Sequence, residues 1–215
     1  MNKYKQLITL SLCLLGSFVL VAQVPKDYRS LIDTSSFKSK MIEMSTSILT
    51  LESSFEQERY ISVLSEKIKS SGTFLFKKEN KLRWEYTVPY KYLIVLDGSK
   101  MYIKDKGNVK KFNLSANEMF KSINEMLLSM VKGNLFDNNE YSVEYHENSM
   151  NYLLVLHPLN TETKKYLETI QLTISKNDFA VTKVKMIEIG GDYTRIKFAN
   201  RKLNAAVSDD QFKVK

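Results

Sequence analysis

Between residues 68 and 104 the chain repeats one pattern four times: a short apolar-rich run, then a tight turn. The runs cover residues 68–78, 81–86, 92–97 and 101–104. In the first, Ile68, Ser70, Gly72, Phe74 and Phe76 alternate with Lys69, Ser71, Thr73, Leu75 and Lys77, so one face grows more apolar along its length. In the second, Leu82, Trp84 and Tyr86 oppose Arg83, Glu85 and Thr87, and Pro89 then breaks the run. A period of two sends successive side chains to opposite faces of a strand. Asp97-Gly98-Ser99-Lys100 and Asp105-Lys106-Gly107-Asn108 carry the residues that reverse antiparallel strands. Such a stretch is committed to an antiparallel sheet with one face turned to a core.

The same reading extends along the chain. Before the sheet, Phe37, Met41, Met44, Ile48 and Leu51 are spaced by four and three, which predicts a helix lying across the sheet, with Ser35 and Ser36 as candidate caps. From Glu52 the period becomes two, through Ser54-Phe55-Glu56-Gln57, in a long strand ending near Val63. Further strands are predicted over residues 141–145, 152–156, 168–174, 181–189 and 193–198, separated by polar or glycine turns. The tally is about ten or eleven short antiparallel strands, and no repeat, linker or low-complexity segment divides them. The expected architecture is a single mainly β domain, one sheet curled into a barrel or half-barrel, with two helices inside it or across its mouth.

The second helix spans residues 115–132. A Ser-x-x-Glu capping box, Ser115 to Glu118, opens it and Gly133 stops it. Met119, Phe120, Ile123, Met126, Leu127, Leu128, Met130 and Val131 cover more than the roughly 100° stripe of a core-facing surface helix. Some of that surface needs a second apolar partner. Twelve tyrosines, eleven phenylalanines and nine methionines supply broad, adaptable contact area, methionine above all being able to repack around variable shapes.

At the N-terminus Lys3 and Lys5 precede an apolar stretch from Leu7 to Val21 that closes at Ala22, the layout of a secretory signal peptide. Its apolar run of about 15 residues is short of the roughly 20 a membrane span requires. Residues 1–22 are thus expected to be cleaved, leaving a mature domain of residues 23–215. The single cysteine, Cys13, follows Leu10-Ser11-Leu12, where a lipid-attachment site wants a small residue, and it leaves with the leader. Disulfides, thiol catalysis and cysteine-ligated metals are then excluded from the mature chain. The net charge of +8 is spread as isolated pairs such as Lys110-Lys111 and Arg201-Lys202, which describes a solvated surface or weak steering toward anionic partners rather than a nucleic-acid face.

Motifs for catalysis are missing: there is no phosphate loop, HExxH helix, CxxC pair or GxSxG elbow. His146 and His157 each lack a second histidine at ligand spacing, and acidic pairs such as Asp209-Asp210 do not by spacing alone make an acid and a base. No enzymatic activity, metal or cofactor is expected.

Ser71-Gly72-Thr73-Phe74-Leu75-Phe76-Lys77-Lys78, then Leu82-Arg83-Trp84-Glu85-Tyr86-Thr87-Val88-Pro89, then Ile94-Val95-Leu96-Asp97-Gly98-Ser99-Lys100-Met101-Tyr102, resemble in order and spacing the periplasmic outer-membrane lipoprotein carrier family, LolA. Ser54-Phe55-Glu56-Gln57 is similar to that family's early Phe-x-Gln strand, and the tail from Asn204 to Phe212 to its closing segment. The resemblance implies an incomplete antiparallel barrel covered by helices, enclosing a hydrophobic cavity for lipoprotein acyl chains. At roughly 0.8 kcal/mol per methylene, one C16 chain in water costs on the order of 12 kcal/mol, so crossing an aqueous compartment needs a carrier.

It further implies that Leu82, Trp84, Met119, Phe120, Ile123, Met126, Leu127 and Met130 border the cavity, although Leu82 and Trp84 suit an ordinary barrel wall equally well. Where the family usually has an arginine and a proline latching the lid, this chain has Lys78-Glu79. Lysine keeps the charge without the planar fork. Lys78 is accordingly expected to donate to carbonyls of the covering helices. The implied partners are acyl chains, an inner-membrane lipoprotein-releasing transporter and an outer-membrane acceptor, with a monomeric protein and no nucleic acid. The alternative is a regulatory or interaction module that senses lipids or mislocalised lipoproteins with the same cavity fold.

Overall fold

The computed structural model describes residues 24–78, 80–113 and 140–214. The leader with its expected cleavage site, and the 115–132 helix with Met119, Phe120, Ile123, Met126, Leu127 and Met130, lie outside the described residues.

Twelve strands form one antiparallel sheet: β1 (Arg29–Ser30), β2 (Thr50–Ile61), β3 (Glu66–Lys77), β4 (Lys81–Val88), β5 (Tyr92–Asp97), β6 (Lys100–Asp105), β7 (Asn108–Asn113), β8 (Tyr141–Glu147), β9 (Asn151–Pro158), β10 (Leu167–Ser175), β11 (Val181–Glu188) and β12 (Tyr193–Leu203). Their order is β1-β8-β9-β10-β11-β12-β2-β3-β4-β5-β6-β7. Among the described residues the sheet is open, because β1 and β7 end it without pairing to each other. These edge strands are the two that the sequence pattern hides. β1 is two residues long and exists through its register with β8, Arg29 opposite Glu147. β7 is exposed along most of its length and shows no apolar alternation.

The turns follow from their residues. Gly98 has φ 60°, and Lys106 and Gly107 have φ 47° and 85°, the positive angles that tight hairpins of matching twist demand. In mid-strand, Gly72 has another reason to be glycine. It pairs with Phe55 on one side and Tyr86 on the other, beside a register shift, and a Cβ there would lie 1.8 Å from the Glu85 carbonyl oxygen.

Residues paired across strands share a face, so register assigns the core. On the inner face two clusters adjoin. One gathers Phe55, Phe74, Phe76, Leu82, Trp84, Leu96, Met101 and Ile196. The other joins Leu154, Leu156, Ile170, Leu172, Ile174 and Val184 to Phe37 and Met41 of helix α1 (Thr34–Ser47). A smaller outer-face cluster of Leu75, Leu93 and Val95 is covered by Phe212 from the C-terminal tail. A four-residue helix, α2 (Thr161–Lys164), fills the β9–β10 connection.

Helix α1 starts two to three residues earlier than its serines suggest. Asp33 is the cap, its Oδ1 accepting from the Ser36 amide at 2.9 Å. Its C-terminal end also corrects the periodic reading: Ile48 is the cap and Leu51 already lies in β2. The hydroxyls of Ser45, Thr46 and Ser47 bond back to the carbonyls of Ile42, Glu43 and Met44 at 2.9, 2.7 and 2.7 Å, a pattern that weakens a helix, and β3 offers the following residues ladder bonds instead.

Candidate functional site

Helix α1 lies over the inner face and closes a small cavity. Met41, Ser45 and Ile48 form its roof. Leu51 and Ser53 of β2, Phe74 of β3 and Trp84 of β4 make one side; Val181 and Val184 of β11 with Phe198, Arg201 and Leu203 of β12 make the other. The free volume is about 60 Å³, and the cavity is partly open rather than sealed. Its floor is aromatic. The Trp84 ring centroid is 4.7 Å from that of Phe55, 5.3 Å from Phe74 and 6.0 Å from Phe198, mostly in tilted or edge-on contacts that suit ring quadrupoles.

Two polar atoms break this apolar wall. Ser53 is 3% and Trp84 7% exposed, and neither Ser53 Oγ nor Trp84 Nε1 has a hydrogen-bond partner among the described residues. The Tyr86 hydroxyl, which donates to Gln57 Oε1 at 2.9 Å, lies near enough to the indole N–H to be influenced by it, but the indole does not reach hydrogen-bond geometry with it. A buried donor left unmet costs about 1–3 kcal/mol. Arg201, the one cation in the wall among the described residues, is engaged with Asp178 at 2.7 Å.

The C-terminal turn of α1 is held from outside. It contains no basic residue of its own, and its free carbonyls and negative dipole end call for donors. Lys78 Nζ donates to Thr46 O at 3.4 Å, and Asn204 Nδ2 to Ser47 O at 3.0 Å. The Asn204 Oδ1 accepts from the Leu49 amide at 2.7 Å and the Thr50 amide at 3.4 Å. Asn204 sits at φ 56°, a left-handed position that asparagine tolerates. At its other end α1 is anchored on aromatic rings: the Phe37 ring packs at 4.6 Å on Tyr152 and 6.0 Å on Tyr145, and Lys38 Nζ lies 5.4 Å from the Tyr145 ring centroid.

Of the residues expected at the site, Trp84 borders the cavity, Leu82 is fully packed in the adjoining cluster without reaching it, and Lys78 is exposed beside the end of α1. Ser53, Phe74, Phe198 and Asn204 were not picked out. Ser53 and Phe74 were legible as the inward positions of alternating strands; Asn204 had no signal, since its partners lie over 150 residues away. His146 and His157, read as isolated, both reach Glu144, at 3.3 and 3.1 Å. No three His, Cys, Asp or Glu side chains among the described residues are arranged to hold a metal ion.

Residues 46–215 match the profile of the family described as outer membrane lipoprotein carrier protein LolA. An outer-membrane lipoprotein carrier protein of Chromobacterium violaceum is 27% identical over 164 residues, covering 76% of this chain and 75% of that one. The corresponding protein of Cupriavidus taiwanensis is 51% identical over a 37-residue stretch, 17% of this chain and 18% of its own length. An uncharacterized conserved protein of Thermus thermophilus shares the fold with a TM-score of 0.55 at 10% identity, over 84% of this chain and 93% of that one. An open twelve-stranded sheet with a helix across its inner face, and a family match running from the end of that helix through the tail, together show that this chain belongs to the periplasmic LolA family of outer-membrane lipoprotein carriers.

Proposed function

We propose that the protein, after loss of residues 1–22, takes up the acyl chains of lipoproteins between its inner face and its helical cover and shuttles them from the inner to the outer membrane. The observation that supports this most is the apolar cavity under α1, with an aromatic floor and, among the described residues, α1 as its roof. In its closed form the cavity is far below the roughly 300–1,000 Å³ of a site that holds a small molecule. Loading therefore needs α1 to lift. The helix is suited to that, being tied at one end by a few rings and at the other by hydrogen bonds from Lys78 and Asn204.

In this reading Trp84 and Leu82 belong to the wall, and Met119, Phe120, Ile123, Met126, Leu127 and Met130 complete the enclosure around the chains. Lys78 is the latch: it releases the end of α1 when cargo enters. An inner-membrane lipoprotein-releasing transporter loads the carrier and an outer-membrane acceptor unloads it. The test is transfer of a fluorescent diacylated lipoprotein by the mature protein to acceptor membranes. Wild type is expected to bind and deliver it, Ile123→Asp to bind poorly while still folding, and Lys78→Leu to alter release more than loading. Absence of uptake by wild type would overturn the proposal; unchanged transfer by Lys78→Leu would reduce Lys78 to a surface charge.

A further inference from the structure

We infer that the cavity carries a neutral polar subsite, Ser53 Oγ and Trp84 Nε1, that accepts the carbonyl oxygens of ester-linked acyl groups; this rests on the carrier reading and names the chemistry its cargo must present. Ser53, Phe74 and Trp84 stand in register on three neighbouring strands and so share the inner face. With strands roughly 4.8 Å apart, the two polar side chains flank the Phe74 ring with backbones about 10 Å from each other. Both line the cavity, both are more than nine-tenths buried, and both lack a partner among the described residues.

Water is a poor occupant. The cavity has room for water, but a buried water is held by 2–4 polar partners, and the remaining polar groups of the described wall are committed: Ser45 Oγ donates to Ile42 O, and Arg201 pairs with Asp178. The chemistry of the two groups then selects the guest. An indole N–H only donates and a hydroxyl can donate, so the guest must bring acceptors. A carboxylate is disfavoured, because Arg201, the one cation in the wall among the described residues, is spent on Asp178 and an unpaired buried charge is costly. A hydrocarbon chain offers no acceptor at all. An ester carbonyl close to its acyl chain is neutral, accepts hydrogen bonds and delivers the apolar tail to the aromatic floor.

Such esters occur in acylated proteins and in free glycerolipids. The experiment uses a diacylated lipopeptide and diacyl phosphatidylglycerol, each beside its dialkyl ether analogue, titrated into the full mature protein, with Ser53→Ala and Trp84→Phe as variants checked for folding by circular dichroism. Ester binding on the order of tenfold tighter than ether binding is expected, as the loss of one buried hydrogen bond would give. In both variants the ratio of ester to ether affinity should fall toward one, whatever the change in absolute affinity. Preference with the lipopeptide alone assigns the subsite to protein cargo, and with both esters to acyl esters in general. Equal ester and ether affinities in wild type, or a preference that survives in both variants, would overturn the subsite while leaving the carrier reading intact. If wild type binds none of the four, the carrier reading itself fails.

Discussion

Asn204 shows how much one side chain can hold. With a single amide it satisfies a carbonyl of the last turn of α1 and two amides at the start of β2, from a left-handed backbone position. Asn204→Gly keeps that conformation and loses the bonds, so it should cost about 1 kcal/mol and raise amide exchange at the end of α1. Asn204→Ala should cost about 1 kcal/mol more, because a Cβ at positive φ adds strain. Equal melting temperatures for the two variants would show that strain plays no part. Gly72 is the opposite case, a residue whose value is absence: Gly72→Ala drives a methyl into the Glu85 carbonyl and should cost about 3 kcal/mol or more, read as a large fall in denaturation midpoint. Of these two, only Gly72 stood out in the sequence, as a glycine inside an alternating strand. An asparagine whose partners come from the other end of the chain leaves no local periodicity.

Elements were most legible where local chemistry and tertiary packing agree. β5 falls on residues 92–97 as its pattern predicts, and β3, β4 and β6 within two residues at each end, because alternation and turn residues point the same way. Helix α1 was mis-bounded where they conflict: Ile48 and Leu51 continue its apolar spacing, yet the hydroxyl-rich last turn ends it. The C-terminal tail was read only by resemblance. It is a strap over the outer face, with Phe212 buried, Asp209 bridging Lys77 at 2.6 Å and Lys81 at 3.0 Å, and the Gln211 carbonyl accepting from Arg83 at 3.2 Å. The hydrogen bonds from Lys77 and Lys81 hold the Asp209 carboxyl down from 3.8 to about 2. A depressed carboxylate contributes its stabilisation above the unfolded value and loses it as pH falls through the folded one. The strap should therefore stay protected at pH 5 and loosen between about pH 4 and pH 2. Limited proteolysis of the tail across that range checks this, and in Asp209→Asn the tail should already be loose at pH 5.

At the scale of the molecule, closeness in space departs most from order in sequence. β12 pairs with β2 and β1 with β8, joins that no local pattern announces and that set the inner face by uniting its two apolar clusters. The charge distribution is reorganised likewise. Lys183 opposite Lys197, and Lys185 opposite Arg195, make a block of four cations where the chain showed only scattered ones. Burial, with Arg195 beside them, pushes both Lys183 and Lys185 below the usual lysine range. The open edge has a consequence of its own. Among the described residues β7 ends the sheet, and a second chain pairing along it would extend the sheet, the route by which edge strands at high concentration invite fibres. Lys110 and Lys111 stand exposed in the middle of that strand, where an incoming copy would have to bury like charges against like. The pair is best understood as a guard against self-assembly: Lys110→Thr with Lys111→Thr should leave the melting temperature nearly unchanged while light scattering rises with protein concentration.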